Sequence, residues 1–225
     1  MQELFAPITG AVTGSGRIVT ESRAIAGVDS VSVGGIGTLL ITQDGTESLT
    51  LEGEDNLLPL IRTEVQHGRL RIGLDELHPI RPTQPLLFHL HATTLTALDL
   101  SGAAGAQAAA LTGNQIALRT SGTGQIRIDR LTAGGLTVDI SGTGSVQVAG
   151  AITAQSVTIS GAGHYNAAGL ASRQAHITVS GAGGAVVDVA ETLDVHISGA
   201  GSVTYAGQPV IRRQISGAGR LLRHA

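Results

Sequence analysis

Apolar and polar residues alternate with a period of two along most of this chain, and the same glycine-rich tetrapeptide interrupts the alternation at near-regular intervals. In DISGTGSVQVAG (139–150), the corner Ser141-Gly142-Thr143-Gly144 follows Val138 and Ile140 and precedes Val146 and Val148. Alternation of this kind predicts half-buried strands, with every second side chain pointing to one face. Apolar residues recur three and one positions before the corner serine, as in Leu98/Leu100, Val157/Ile159, Ile177/Val179 and Val195/Ile197. They recur again five and seven positions after it, as in Ile126/Ile128, Tyr165/Ala167, Ala185/Val187 and Val203/Tyr205. A further anchor follows ten or eleven positions on, at Leu131, Ile152 and Leu170. Each unit reads as strand, glycine corner, strand, turn and third short strand.

The corner serines are Ser101, Ser121, Ser141, Ser160, Ser180, Ser198 and Ser216, in steps of 18 to 20 residues. Gly34-Gly35-Ile36-Gly37 and Thr13-Gly14-Ser15-Gly16 look like two earlier, disguised copies, 21 residues apart. A fixed period of this size marks a solenoid whose units stack on one another. The expectation is an all-β, right-handed parallel β-helix of about nine rungs of 18–21 residues, forming one domain over 1–225. Between Gly34 and Ser101 the period fails, and an insertion at about 42–92 fills the gap. Glu54-Asp55-Asn56 before Leu57, Leu58, Leu60 and Ile61 predicts a short capped helix. EVQHGRLRI (64–72) predicts a hairpin turning at His67-Gly68, the proline-rich 78–85 an unpaired loop, and LLFHLHA (86–92) a returning strand.

If strand parity runs through the corner, both motif glycines face inward and the serine faces out. A tight inward bend leaves no room for a side chain, which explains Gly122, Gly124, Gly142, Gly144, Gly161, Gly163, Gly181, Gly183, Gly199, Gly201, Gly217 and Gly219. The stacked serines are expected to form a ladder that bonds to backbone rather than to one another, because adjacent rungs are ~4.8 Å apart.

Composition sharpens this picture. Apolar residues make up 42% of the 225 residues, but aromatic residues only 2%, so the core must be slim and aliphatic. The net charge of −3 gives no basic footprint for nucleic acid. No apolar run is long enough to span a membrane. The opening MQELFAPITG lacks the features of an export signal, so either the chain stays inside or such a signal has been removed. Having no cysteine, the chain has neither disulfides nor thiolate metal sites.

The order of GSGRIVTESRAIAGVDSVSV (14–33), ITQDGTESLTLEGEDNLLPLIRTEVQHGRLRIG (41–73), the SGTGSV-type repeats and SGAGSVTYAGQP (198–209) resembles the head GIN domain family, the auto-transporter adhesins of bacteria. The resemblance covers essentially the whole chain. It implies a right-handed β-helix in an extracytoplasmic or cell-surface setting and an adhesin-type role, and it carries over no catalytic residue.

Candidate chemistry is sparse. Two positions before the corner serines an outward column reads Asp99, Arg119, Asp139, which would serve a glycan-active lyase or hydrolase only if its carboxylates were free. Alternating sign favours a mutually neutralising surface ladder. His89 and His91 share a strand face and, with His78 nearby, are the best metal candidates, though no acidic third ligand is evident and no metal site is assigned. His164, His176 and His196 fall at different offsets and read as surface residues, while the inward parity of Tyr165 and Tyr205 gives them core roles. The corner's third position holds Ala or Thr, which excludes an aspartate-based calcium roll, and the threonines are too few for an ice-binding face. The leading expectation is a non-enzymatic module, without cofactor, that binds a surface glycan or protein. The alternatives are a glycan-active enzyme and a scaffold that self-associates through its edge rungs.

Overall fold

The computed structural model describes residues 10–74 and 78–224; most of the opening segment considered above for an export signal lies outside them. The architecture is a parallel β-solenoid with three faces. On the first face, Arg69–Leu74, Ser30–Gly35 and Ala97–Gly102 stack in parallel. The ends of Leu111–Gly122, Gln125–Gly142, Ser145–Ile159, His164–Val179 and Gly184–Ile197 continue the stack, and Val210–Ile215 completes it. The second face stacks Leu87–Ala92, Thr38–Gln43 and Gly105–Ala108, then the starts of the long strands, then Ser202–Ala206 and Arg220–Arg223. Leu111, Leu131 and Leu170 lie buried on the third.

The core is a file of small aliphatic residues. Val31, Leu98, Leu118, Val138, Val157, Ile177 and Val195 succeed one another in register, each at most 1% exposed. Each layer packs on its own copy one strand spacing away, which is why a core with almost no aromatic bulk can still close. Tyr165 and Phe88 are its two large aromatic members.

The rung count differs from the expectation. The Gly34 copy stands in register with Ser101, but Thr13-Gly14-Ser15-Gly16 is not in the file. Its neighbour Ile18–Arg23 pairs antiparallel with Ser48–Glu54, and Val12–Thr13 pairs with Ile80–Arg81 in a small separate sheet. The solenoid makes about six turns rather than nine rungs.

The insertion folds back beneath the first rung. Its hairpin, Ile61–Gln66 with Arg69–Leu74, turns at His67-Gly68, both at positive φ, and its return strand Leu87–Ala92 lies against Thr38–Gln43. The predicted capped helix is instead a single 3-10 turn, Leu58–Leu60, preceded by Leu57 without a side-chain cap. The reason is competition for the capping groups. Glu54 accepts hydrogen bonds from the Gly16 and Thr83 backbone N–H groups, at 2.8 and 2.9 Å, and from the Thr83 hydroxyl. Asp55 accepts from Ser15 Oγ and Arg17 Nε, and Asn56 clasps Ser15 N and Thr13 O. Within the proline-rich segment, Ile80–Arg81 is paired after all, through the short ladder to Val12–Thr13.

Candidate binding groove and charged face

The corners stack as a file. Every corner serine is exposed, and the second glycines Gly124, Gly144, Gly163, Gly183 and Gly201 are buried. The first glycines Gly122, Gly142, Gly161, Gly181 and Gly199 are only partly buried, so they do not take the inward position expected of both. What excludes a side chain there is the backbone of the preceding rung. The backbone N–H groups of Ser160, Ser180, Ser198 and Ser216 donate to carbonyls of the neighbouring rung at 2.8–3.0 Å. The Ser216 hydroxyl also reaches Ile197 O at 3.5 Å. The file therefore offers solvent a row of hydroxyls on a rigid backbone.

Beside this row lies the charged column. Arg119 Nη1 is 3.2 Å from Asp99 Oδ1, and Arg119 Nε is 3.3 Å from Asp139 Oδ2. Asp99 Oδ2 also meets Arg69 Nη1 at 3.1 Å. Arg69 comes from the insertion, so the fourth member of the ladder could not be placed from the repeat alone. Both carboxylates already face guanidinium groups, which is the arrangement of a neutralised surface ladder rather than of an acid and base pair.

His89 and His91 each find a separate acid. His89 Nε2 lies 3.2 Å from Glu52 Oε2, and His91 Nδ1 lies 2.7 Å from Asp44 Oδ2. Asp44 is held down to about 2 by the Thr46 hydroxyl first and by His91 second. The pairing of Leu87–Ala92 with Ser48–Glu54 on one side brings Glu52 to His89, and its pairing with Thr38–Gln43 on the other brings Asp44 to His91, long-range juxtapositions that local spacing does not show. Among the described residues there is no group of three or more His, Cys, Asp or Glu side chains placed to hold a metal ion. His176 stands 3.7 Å from Asp194, whereas His164 and His196 occupy other columns.

A concavity lies along the edge between the third and first faces. Two adjoining hollows of about 470 Å³ each share Gln115 and Thr137. Together they run from Thr94 to Arg212, parallel to the solenoid axis. Register explains the channel. The column Gln115, Gly135, Ala154, Gln174, Thr192 places two small residues between larger polar ones, hollowing the edge. Thr137, Ser156, His176 and Asp194 form the adjacent wall, and Leu136, Ala175 and Leu193 the floor.

Gln155 interrupts that apolar floor. It is 3% exposed, its amide donating to Ser172 Oγ at 2.8 Å and accepting from Tyr165 OH at 2.9 Å. Ser172 Oγ donates in turn to Asp188 O at 2.7 Å. Desolvation pushes the Tyr165 phenol far above its usual range, so it remains a donor. This fully bonded chain fixes the floor's polar point. The groove escaped sequence reasoning, although one signal existed: glutamine 155 stands in a column of leucine and alanine.

No curated protein matches the chain. Its fold is close to a crystallised "putative adhesin" from Bacteroides fragilis NCTC 9343, with a TM-score of 0.90 at 22% identity, covering 95% of this chain and 100% of that one. A "putative adhesin" from Parabacteroides distasonis ATCC 8503 aligns with a TM-score of 0.78 at 21% identity, over 96% of this chain and 100% of that one. A "Putative lipid binding protein" from the same organism aligns at 0.77 with 21% identity and the same coverages. The family model described as "Putative auto-transporter adhesin, head GIN domain" matches residues 28–209. With its stacked corners and about six turns, the chain belongs to this head GIN domain family.

Proposed function

We propose that the protein is a non-catalytic binding module of the cell exterior, and that it holds an extended surface glycan in the groove between Thr94 and Arg212. The observation that carries this reading is the groove itself. It is long, open and parallel to the axis, and it presents hydroxyl and amide groups at one level after another. Such a surface suits a chain-like ligand whose hydroxyls repeat along its length, bound by many modest hydrogen bonds on a pre-formed scaffold. Family membership supports the adhesin-type role and the exterior location. The neutralised Asp99–Arg119–Asp139 ladder speaks against the glycan-cleaving alternative.

A glycan array tests the proposal, with peptide and lipid-vesicle arms added because the floor is apolar and one structural neighbour is described as lipid binding. Glycan binding by the wild type should be lost on Ala154→Leu, which fills the channel, and kept on Arg119→Ala, which disturbs only the ladder. Binding that survives Ala154→Leu, binding confined to peptides or lipids, or cleavage of a bound glycan would overturn the reading.

A further inference from the structure

The two ends of the solenoid are finished differently. At the N-terminal end the insertion and the antiparallel strand Ile18–Arg23 cover the stack. At the C-terminal end Val210–Ile215 and Arg220–Arg223 pair, among the described residues, with neighbours on one side only, leaving a row of backbone groups open. Exposed apolar residues flank that edge, with Val210 at 69% and Leu222 at 51% exposure, and Ile211, Ile215 and Leu221 complete the core there. An open, regular, apolar parallel edge is a template for another chain.

The register shows what stands in the way. Arg213 pairs with Val195, so it occupies the inward column that reads leucine, valine or isoleucine at each preceding level from Leu98 onward. Arg223 pairs with Tyr205, which follows Val187 in the inward column of the second face. Two guanidinium groups thus sit at core positions in the last rung, both exposed, with Arg223 Nη2 donating to Gly207 O at 3.3 Å. Between Val195 and His224 there is no Asp or Glu side chain, so the last rung itself places none beside them. The opposite edge shows the same device in neutralised form. Glu21 and Arg23 lie opposite Leu51 and Leu49, at inward parity, and pair with each other at 3.2 Å.

We propose that Arg213 and Arg223 act as an end stop that keeps the open C-terminal rung from stacking on a second copy of the chain. A second copy laid edge to edge through its own last rung would have to bury both arginines against like charge, and one laid by its opposite edge would have to break the Glu21–Arg23 pair to match them, both of which are unfavourable. Inward-pointing charge on an edge strand is a known way for a sheet to stay single. The role is separate from ligand binding in the groove and disfavours the self-associating scaffold.

The test is the oligomeric state by sedimentation velocity over a wide range of concentration. Wild type should remain monomeric, and Arg213→Val with Arg223→Val should self-associate as concentration rises, while lysine at both positions should preserve the monomer. Circular dichroism establishes that the valine variant is folded, and the two single variants serve if it is not. Because the chain has no cysteine, Gln214→Cys gives an independent readout: disulfide-linked dimers should form in the valine background but not in the wild-type background. Association of the wild type through this edge, or folded valine variants that all stay monomeric, would overturn the proposal.

Discussion

Gly142 sits at φ +133°, and a β-carbon there would lie 2.5 Å from Gly122 O and 2.8 Å from Gly122 N. Backbone conformation and the closeness of the next rung both demand glycine, so Gly142→Val should cost about 3 kcal/mol or more and lower the melting temperature accordingly. An unchanged melting temperature would contradict the stacked corner. The opposite outcome is expected one rung earlier. Thr120 occupies the inward column between Leu100 and Ile140, is 2% exposed, and its hydroxyl has no hydrogen-bond partner. Thr120→Val keeps the shape and removes the unsatisfied group, so it should stabilise the protein by about 1 kcal/mol in chemical denaturation. A loss of stability would mean that the hydroxyl has an acceptor. These positions also show how legible single residues were. The glycines could be read because each repeats its neighbour's environment, whereas Thr120 and Gln155 are departures from a column whose meaning depends on packing above and below.

At the scale of elements, the N-terminal cap depends on three consecutive polar residues. Glu54 is held below its usual range, first by the Thr83 hydroxyl and then by backbone N–H groups, and Asp55 is held down by Ser15 and then Arg17. A carboxylate whose folded pKa is depressed stabilises the fold above its unfolded pKa and loses that contribution as pH falls through the folded value. The clasp on residues 13–17 and 83 should therefore be intact at about pH 6 and loosen below about pH 4, before the stacked rungs open. Corrected for the intrinsic pH dependence of amide exchange, the protection factors of Gly16 N and Thr83 N should fall over that interval while that of Ile177 N holds, and an equal fall at all three would contradict a separate cap. In the insertion the hairpin and the return strand could be read from local pattern. The clasp could not, because Glu54, Asp55 and Asn56 are indistinguishable in sequence from a helix cap until residues 13–17 and 83 are brought beside them.

The whole molecule is a rod built by repeating one contact. Its fold was largely legible because every rung restates the same alternation and corner, and contacts between neighbouring rungs hold such an array together. The number of turns was less legible, since the Thr13–Gly16 segment imitates a corner while serving the cap, and Arg69–Leu74 enters the stack from the insertion. The groove was least legible of all: it is a hollow made by the small column residues Gly135 and Ala154, visible only once the levels are aligned. Groove, charged ladder and end stop all rest on the corners forming one straight file. Pulsed electron resonance between spin labels on cysteines replacing Ser101 and Ser198 measures this directly, because the two serines lie five strand steps apart and both are exposed. At ~4.8 Å per step the distribution should be narrow and centred near 24 Å, shortening by one step when the second label moves to Ser180. A broad distribution, or a distance that does not shorten with that move, would contradict the straight file.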